Sequence, residues 1–267
     1  MNLTKTFGLA FLASALLLSA CKKDDDDDDT PANVTCKLDK SVYFDGNGAR
    51  EDSALFTYTG DKITRAVTTD YYYTYEYSGD RVSRRNFFET GETTPAYFQR
   101  ITYNADGTPN KIETLIPTTG TNAELYDQMN FIYSSGKLQK IDYLEYDGTT
   151  SEKTAEFTYT YTGNNITSAT ITDLSTTPSQ SLTLNYTYDT NPNALLKQNA
   201  SIYYLDPFFG DADPSLLPLT FSQNNAVSLG AQGQTPTPLT YTLDDRQNLK
   251  DIKVASRFIV AYSYKCQ

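Results

Sequence analysis

Carboxylates are the only side chains in this sequence numerous and close enough to work as an acid–base pair. Asp244 and Asp245 are adjacent, and Asp211 lies two residues before Asp213. Glycoside hydrolysis needs two such groups, one to protonate the leaving oxygen and one to attack or to activate water. Nothing else in the chain supports catalysis. Its 267 residues include 22 tyrosines but no histidine and no tryptophan. That removes every Ser–His, Cys–His and His–metal arrangement, and with them the commonest base near neutral pH. No phosphate-cradling glycine loop and no zinc-type cysteine spacing occurs either. Adjacent acids are common in turns, so no catalytic residue, metal ligand or cofactor is expected.

Binding chemistry is concentrated between Asn199 and Pro218. Aromatics beside carboxylates can stack on and hydrogen-bond a sugar or a peptide, which makes Tyr203, Tyr204, Asp206, Phe208, Phe209, Asp211 and Asp213 the candidate ligand loop. The competing reading is a plug packed over one open end of a sheet, because aromatics in loops of β proteins usually fill space. Elsewhere, Tyr71, Tyr73, Tyr75 and Tyr77 share one strand face, expected to be core, with Tyr72 and Glu76 on the other. Arg81, Arg84 and Arg85 form a local basic spot, expected to pair with acids on neighbouring strands. The net charge of −11 argues against nucleic acid as a partner.

The elements that must position these residues follow a recurring phrase: an aromatic, a polar residue, an aromatic, a short turn, then an aliphatic. Phe56-Thr57-Tyr58-Thr59-Gly60-Asp61-Lys62-Ile63 is one copy, and Tyr159-Thr160-Tyr161-Thr162-Gly163-Asn164-Asn165-Ile166 is another. Anchored on the second aromatic position, the copies fall at 58, 77, 103, 133, 161, 188, 221, 243 and 264, the copy at 221 being the degenerate Leu219-Thr220-Phe221. Alternation puts the aromatics on one face, and Gly with Asp or Asn supplies the left-handed positions of a tight turn. Each copy therefore reads as a β-hairpin. About eight of them in succession make an all-β, long antiparallel meander, since chain neighbours usually pair.

The second face of the strands bears on the membrane. Thr158, Thr160 and Thr162, and on a later strand Thr183, Asn185 and Thr187, form polar rows, and no outward apolar band with aromatic girdles runs over consecutive strands. The expectation is one water-soluble domain over residues 36–267, a curved sheet or barrel-like form that limits exposed edges.

The first 35 residues are address and tether. Lys5 and the apolar run from Phe7 to Leu18 have signal-peptide character over residues 1–20, and Leu18-Ser19-Ala20-Cys21 resembles the lipobox of bacterial lipoproteins. That resemblance makes Cys21 the acylated first residue of the mature chain, and the membrane a partner through its lipid. Lys22-Lys23 and the six aspartates Asp24–Asp29 follow, a self-repelling run that stays extended over residues 21–35. It is similar to the surface-export signal of Bacteroidota lipoproteins, which implies an outer-membrane protein facing the cell exterior; the alternative is the periplasmic face. The run with its lysines accounts for −4 of the charge and Lys5 for +1, leaving −8 from Thr30 onward. The other cysteines, Cys36 and Cys266, flank the domain and are a disulfide pair if the terminal strands lie side by side; otherwise they are two thiols.

Two further resemblances rest on the repeat. The aromatic–turn–aliphatic phrase is similar to the Tyr-Asp repeats of Rhs-type β-shell proteins. Tyr186-Thr187-Tyr188-Asp189 with Asn191-Pro192, then Ser222-Gln223-Asn224-Asn225, and the closing Tyr262-Ser263-Tyr264-Lys265-Cys266 resemble a Bacteroidota lipoprotein family with a porin-like β fold. This likeness implies fold and export and brings no catalytic residues with it. The expected function is therefore a lipid-anchored cell-surface β protein with a binding or structural envelope role, taking a glycan or protein ligand if it binds one. The alternative is a carbohydrate-binding accessory to outer-membrane nutrient uptake.

Overall fold

The computed structural model describes residues 36–45, 47–118, 122–197, 217–255 and 257–266. The strands are β1 (Cys36–Phe44), β2 (Arg50–Thr59), β3 (Lys62–Val67), β4 (Tyr71–Ser78), β5 (Arg81–Glu89), β6 (Tyr97–Tyr103), β7 (Pro109–Pro117) and β8 (Ala123–Ser134). They continue as β9 (Lys137–Tyr146), β10 (Ser151–Thr162), β11 (Asn165–Asp173), β12 (Gln180–Pro192), β13 (Asn224–Ala231), β14 (Thr237–Leu243), β15 (Leu249–Val254) and β16 (Arg257–Cys266). Each pairs antiparallel with its neighbours in the chain, and β16 returns to β1, so the meander closes into a barrel. Closure removes the sheet edges that would otherwise template aggregation. Cys36 and Cys266 are register partners across this last seam and are bonded, with S–S 1.98 Å.

The repeat phrase folds as its residues require, with one addition. At the tight turns Gly60 and Gly163 adopt φ of +58°, a left-handed conformation that glycine enters at no steric cost. Beyond each turn the return strand carries a β-bulge. The register slips between Thr57 and Tyr58 opposite Thr64, and likewise opposite Ser83, Gln139 and Thr167. A bulge adds one residue to one strand, so residues three apart face the same way. Ile63 with Ala66, Leu138 with Ile141, and Ile166 with Ala169 are accordingly all buried in the lumen. Strict alternation would have turned the second of each pair outward.

The repeat tyrosines join one hairpin to the previous one beside these bulges, where the ladder is interrupted. The hydroxyl of Tyr58 donates to the Leu38 carbonyl at 2.8 Å, Tyr77 to Ile63 at 2.9 Å and Tyr103 to Val82 at 2.7 Å. Tyr188 donates to Ile166 at 2.6 Å and Tyr264 to Leu249 at 2.8 Å. A basic side chain sits over several of these rings: Lys37 over Tyr58, Lys62 over Tyr77, Arg81 over Tyr103 and Lys137 over Tyr161. Lys37 also donates to the Gly60 carbonyl at 2.6 Å, and Lys62 and Lys137 reach Gly79 and Gly163 in the same way. Neighbouring strands are thus tied by a phenol at Tyr58, Tyr77, Tyr103, Tyr188 and Tyr264, and a cation covers the ring at Tyr58, Tyr77, Tyr103 and Tyr161. A lone hairpin is marginal in water, so ties to its neighbours stabilise each member of the array.

Burial pushes the hydroxyls of Tyr77, Tyr103, Tyr161 and Tyr188 up to about 12. Because the folded values lie above the ordinary 10, the fold favours the protonated phenols. That contribution is fully present below pH 10 and is lost as pH rises from about 10 through 12. We expect phenolate absorbance to appear late, and together with cooperative unfolding over that window; early, non-cooperative ionisation of most tyrosines would contradict these ties.

The lumen-facing side chains form one contiguous apolar cluster that includes Phe56, Tyr73, Phe131, Phe157, Tyr159, Tyr186, Leu249, Ile252 and Val260. The outer wall is mostly polar, with Leu55, Tyr72, Phe88, Phe98 and Ile132 among its apolar members. Thr160 pairs with Ser168 at 2.7 Å, Thr170 with Thr183 at 2.9 Å and Thr187 with Ser228 at 2.6 Å, and Lys140, Asp142, Lys153 and Glu156 form an ion-pair group beside them. This is the one-sided pattern of a sheet with a dry face and a wet face.

One expectation is corrected. Leu219-Thr220-Phe221 is not a hairpin copy. Leu217–Phe221 is a helical turn with Leu217 and Leu219 buried in the barrel core, and Pro218, which has no N–H to give a ladder, suits it poorly to a strand. The hairpin begun at Tyr188 instead returns through β13, its turn expanded into the long connection that holds this segment. Asn193 anchors that connection: it is 2% exposed, its amide donates to the Leu219 and Ser222 carbonyls at 2.8 Å, and its carbonyl oxygen accepts from the Leu195 N–H. Strand register separates Arg84 from Arg85. The bulge at Ser83 turns it inward, where it is 1% exposed and lies 4.7 Å over the Tyr73 ring, while Arg84 stays outside over Phe98 and beside Glu76.

Candidate functional site

The barrel has two unlike ends. Most of the tight turns, the bonded termini and the buried connection around Asn193 and Leu217–Phe221 lie at one. The other carries the links that follow β5, β7, β9 and β11. In the lumen at this loop end, β6 to β10 wall a cavity of about 530 Å³. Its lining includes Tyr97, Tyr126, Tyr143 and Phe157 as aromatics, and Gln99, Thr114 and Asp127 as polar groups.

Register explains how these side chains come together. Gln99 and Thr114 are opposite one another, as are Thr114 and Asp127, and all three face inward. Gln99 donates to Thr114 at 3.4 Å, a weak bond. Met129 faces Tyr143, and Ala155 faces Tyr143 from the other side. A bulge at Tyr126, between Leu125 and Asp127 opposite Leu115 and Thr114, brings its ring to the cavity rather than away from it. Deeper in, Arg85 is the register partner of Gln99, and Phe87 stacks on Tyr97 with centroids 4.6 Å apart.

The electrostatics of this end are negative. Asp127 is opposite Glu145, and Glu145 is opposite Glu152, so three carboxylates stand in a cross-strand row on the lumen side. Glu124, opposite Ile116, adds a fourth. Burial pushes the Tyr143 hydroxyl above its ordinary value, and the charges of Asp127 and Glu145 raise it further. The mouth is also apolar: Ile116, Tyr126 and Leu182 are large side chains 40%, 54% and 48% exposed on its inner rim. Among the described residues, no group of three or more acids or cysteines is placed to hold a metal ion.

The residues singled out from sequence fall elsewhere. Cys21 and the loop residues Tyr203, Tyr204, Asp206, Phe208, Phe209, Asp211 and Asp213 lie outside the described residues. Asp244 serves its turn, accepting from the N–H groups of Arg246 at 2.9 Å and Asn248 at 2.8 Å, and Asp245 is an exposed neighbour. Both acids line an open surface pocket of about 310 Å³ beside Arg246, Lys250 and Tyr264. The Tyr71–Tyr77 ladder is lumen wall: Tyr73 and Tyr75 are buried, whereas Tyr72 faces out, stacked on Phe88 at 4.6 Å and covered by Arg65. The cavity's own residues were passed over, although Gln99, Thr114 and Asp127 interrupt the apolar alternation at inward positions and so carried a signal.

Fold and site together define a closed antiparallel meander barrel with an apolar lumen, a mostly polar outer wall and a lumen cavity open towards the loop end. Among solved structures it is similar to a porin-like protein from Bacteroides uniformis, at 12% identity and a TM-score of 0.51, covering 85% of this chain and 98% of that one. It is similar also to a porin-like protein from Bacteroides vulgatus, at 14% identity and a TM-score of 0.50 with the same coverage. At these identities the likeness is one of fold, and the chain has a porin-like β fold. No family model and no curated protein matches the sequence.

Proposed function

We propose that this chain is an exported, lipid-anchored envelope protein of the outer membrane, whose barrel stands in water and does binding work rather than catalysis. The observation that carries this reading is the polarity of the barrel. A membrane-spanning barrel turns an apolar band outward and keeps its interior polar. Here the burial is reversed, with Ile141, Ile166, Ile252 and Val260 at 0% exposure in the core cluster and the threonine ladders outside. A wall of this kind gains nothing from lipid, so attachment must come from another part of the chain. Cys21, behind an apolar leader and ahead of an acidic tether, is the group placed to supply it. One acyl chain holds a membrane only marginally, whereas a multiply acylated cysteine holds it stably.

The Cys21→Ala variant tests this reading. The native protein should sediment with the outer membrane and be cut by protease added to intact cells, and the variant should lose membrane association. Unchanged sedimentation of the variant would refute the anchor.

A further inference from the structure

We propose that the loop-end lumen cavity takes a neutral, mostly apolar ring compound that carries a single hydroxyl, with that hydroxyl on the side chain of Gln99. The cavity's volume of about 530 Å³ is in the range of sites for small organic molecules. Its described walls are mostly ring and alkyl surface, from Tyr97, Ile116, Tyr126, Met129, Tyr143 and Phe157, with only Gln99, Thr114 and Asp127 as polar lining. Rings of a ligand can pack edge-on or offset against these rings, and burying them removes apolar area from water. A sugar presents a hydroxyl at almost every carbon, and so sparse a polar lining would leave most of them unpaired, each at a cost.

The hydroxyl is assigned by what the polar lining leaves unused. Gln99 and Thr114 are 9% and 8% exposed, and both line the cavity. Among the described residues, the hydrogen bond of the Gln99 carboxamide is its donation to the Thr114 hydroxyl, 3.4 Å long and weak. Arg85, its register partner on β5, holds its guanidinium over the Tyr73 ring instead. A carboxamide has two N–H donors and an oxygen with two lone pairs, and a buried polar group left without a partner costs free energy. A hydroxyl both gives and accepts, so it suits the Gln99 carboxamide in either of its two orientations. Asp127 is engaged with the Tyr143 hydroxyl, whose proton it helps to hold. An anionic head would face that carboxylate, and an ionic head of either sign would lose its water against ring and alkyl surface. Ile116 and Tyr126, 40% and 54% exposed at the rim, offer the ring body apolar surface on its way in.

This inference rests on the binding role proposed above but not on the anchor. The test is calorimetric titration of the full-length protein with 5-phenylpentan-1-ol, pentylbenzene, 5-phenylpentanoate, 5-phenylpentylammonium and maltotriose. The alcohol should bind, and the two ions and the sugar at least about tenfold more weakly. Gln99→Leu should weaken the alcohol severalfold and leave pentylbenzene bound at least as tightly, a split that a general loss of structure would not produce. Ala155→Leu, which narrows the cavity, should weaken both, and Thr160→Ala on the outer wall should change neither. Equal or tighter binding of either ion or the sugar, an alcohol affinity unmoved by Gln99→Leu, or no binding of any probe would overturn the proposal. Loss of binding with normal membrane sedimentation would fault the cavity alone, and binding with failed sedimentation the anchor alone.

Discussion

The Cys36→Ala/Cys266→Ala double variant is expected to lose about 5 kcal/mol of stability, the largest loss foreseen for any change outside the apolar core. The bond joins residues 230 apart, so in the unfolded state it closes almost the whole domain into a loop, and the entropy removed grows with loop length. Its position adds a second effect. Among the described strands, β1 and β16 are the only paired neighbours not consecutive in the chain, and the bond sits at the end of their seam. Without it, fraying at Cys36 and Cys266 exposes two unpaired strand edges, and edges recruit other chains. Urea unfolding should show a lower midpoint in the variant, and reduction of the native protein should reproduce it. A midpoint unchanged by both would contradict the role given to the seam.

Ile141→Asp and Thr160→Asp make the second comparison, two carboxylates placed on opposite faces of neighbouring strands. Ile141 is 0% exposed, between its register partners Phe131 and Phe157. An aspartate there must either ionise without a partner or take up a proton, and the site offers no hydrogen-bonding company. The cost should exceed about 4 kcal/mol and prevent recovery of folded protein. Thr160 is exposed on the outer wall, where its hydroxyl meets Ser168. An aspartate there should change stability by no more than about 0.5 kcal/mol. For a barrel embedded in lipid the order would shift, since an outward charge at mid-depth is itself costly. Circular dichroism and urea midpoints of the two variants would tell the cases apart.

Much of this fold could be read before any coordinates. The aromatic pairs at Phe56/Tyr58 and Tyr159/Tyr161, with glycine turns after them, are local signals, and local signals specify hairpins. Closure was less accessible, because whether β16 meets β1 depends on twist and shear summed over the whole sheet. The bulges were missed for a definite reason. Ile63 with Ala66 and Leu138 with Ile141 have a spacing of three, which reads as broken alternation until an extra residue is allowed for. The bulge at Ser83 likewise turns Arg85 to the lumen, which its spacing from Val82 does not show. For the site, sequence drew attention to the segment dense in aromatics, Tyr203 to Asp213. The lumen cavity is instead assembled from single residues on five strands, none conspicuous alone, and only register brings Gln99, Thr114 and Asp127 together.

The proposed barrel wall faces water and does not enter the bilayer. This is tested most directly by placing one fluorescent label at a time on Thr160→Cys and Thr187→Cys, both exposed outer-wall positions. The full-length protein would be held in vesicles containing nitroxide-labelled lipid and, separately, exposed to a water-soluble quencher. Strong quenching from water and none from lipid is expected at either site. Quenching by lipid with protection from the aqueous quencher would place the wall in the membrane and contradict this expectation.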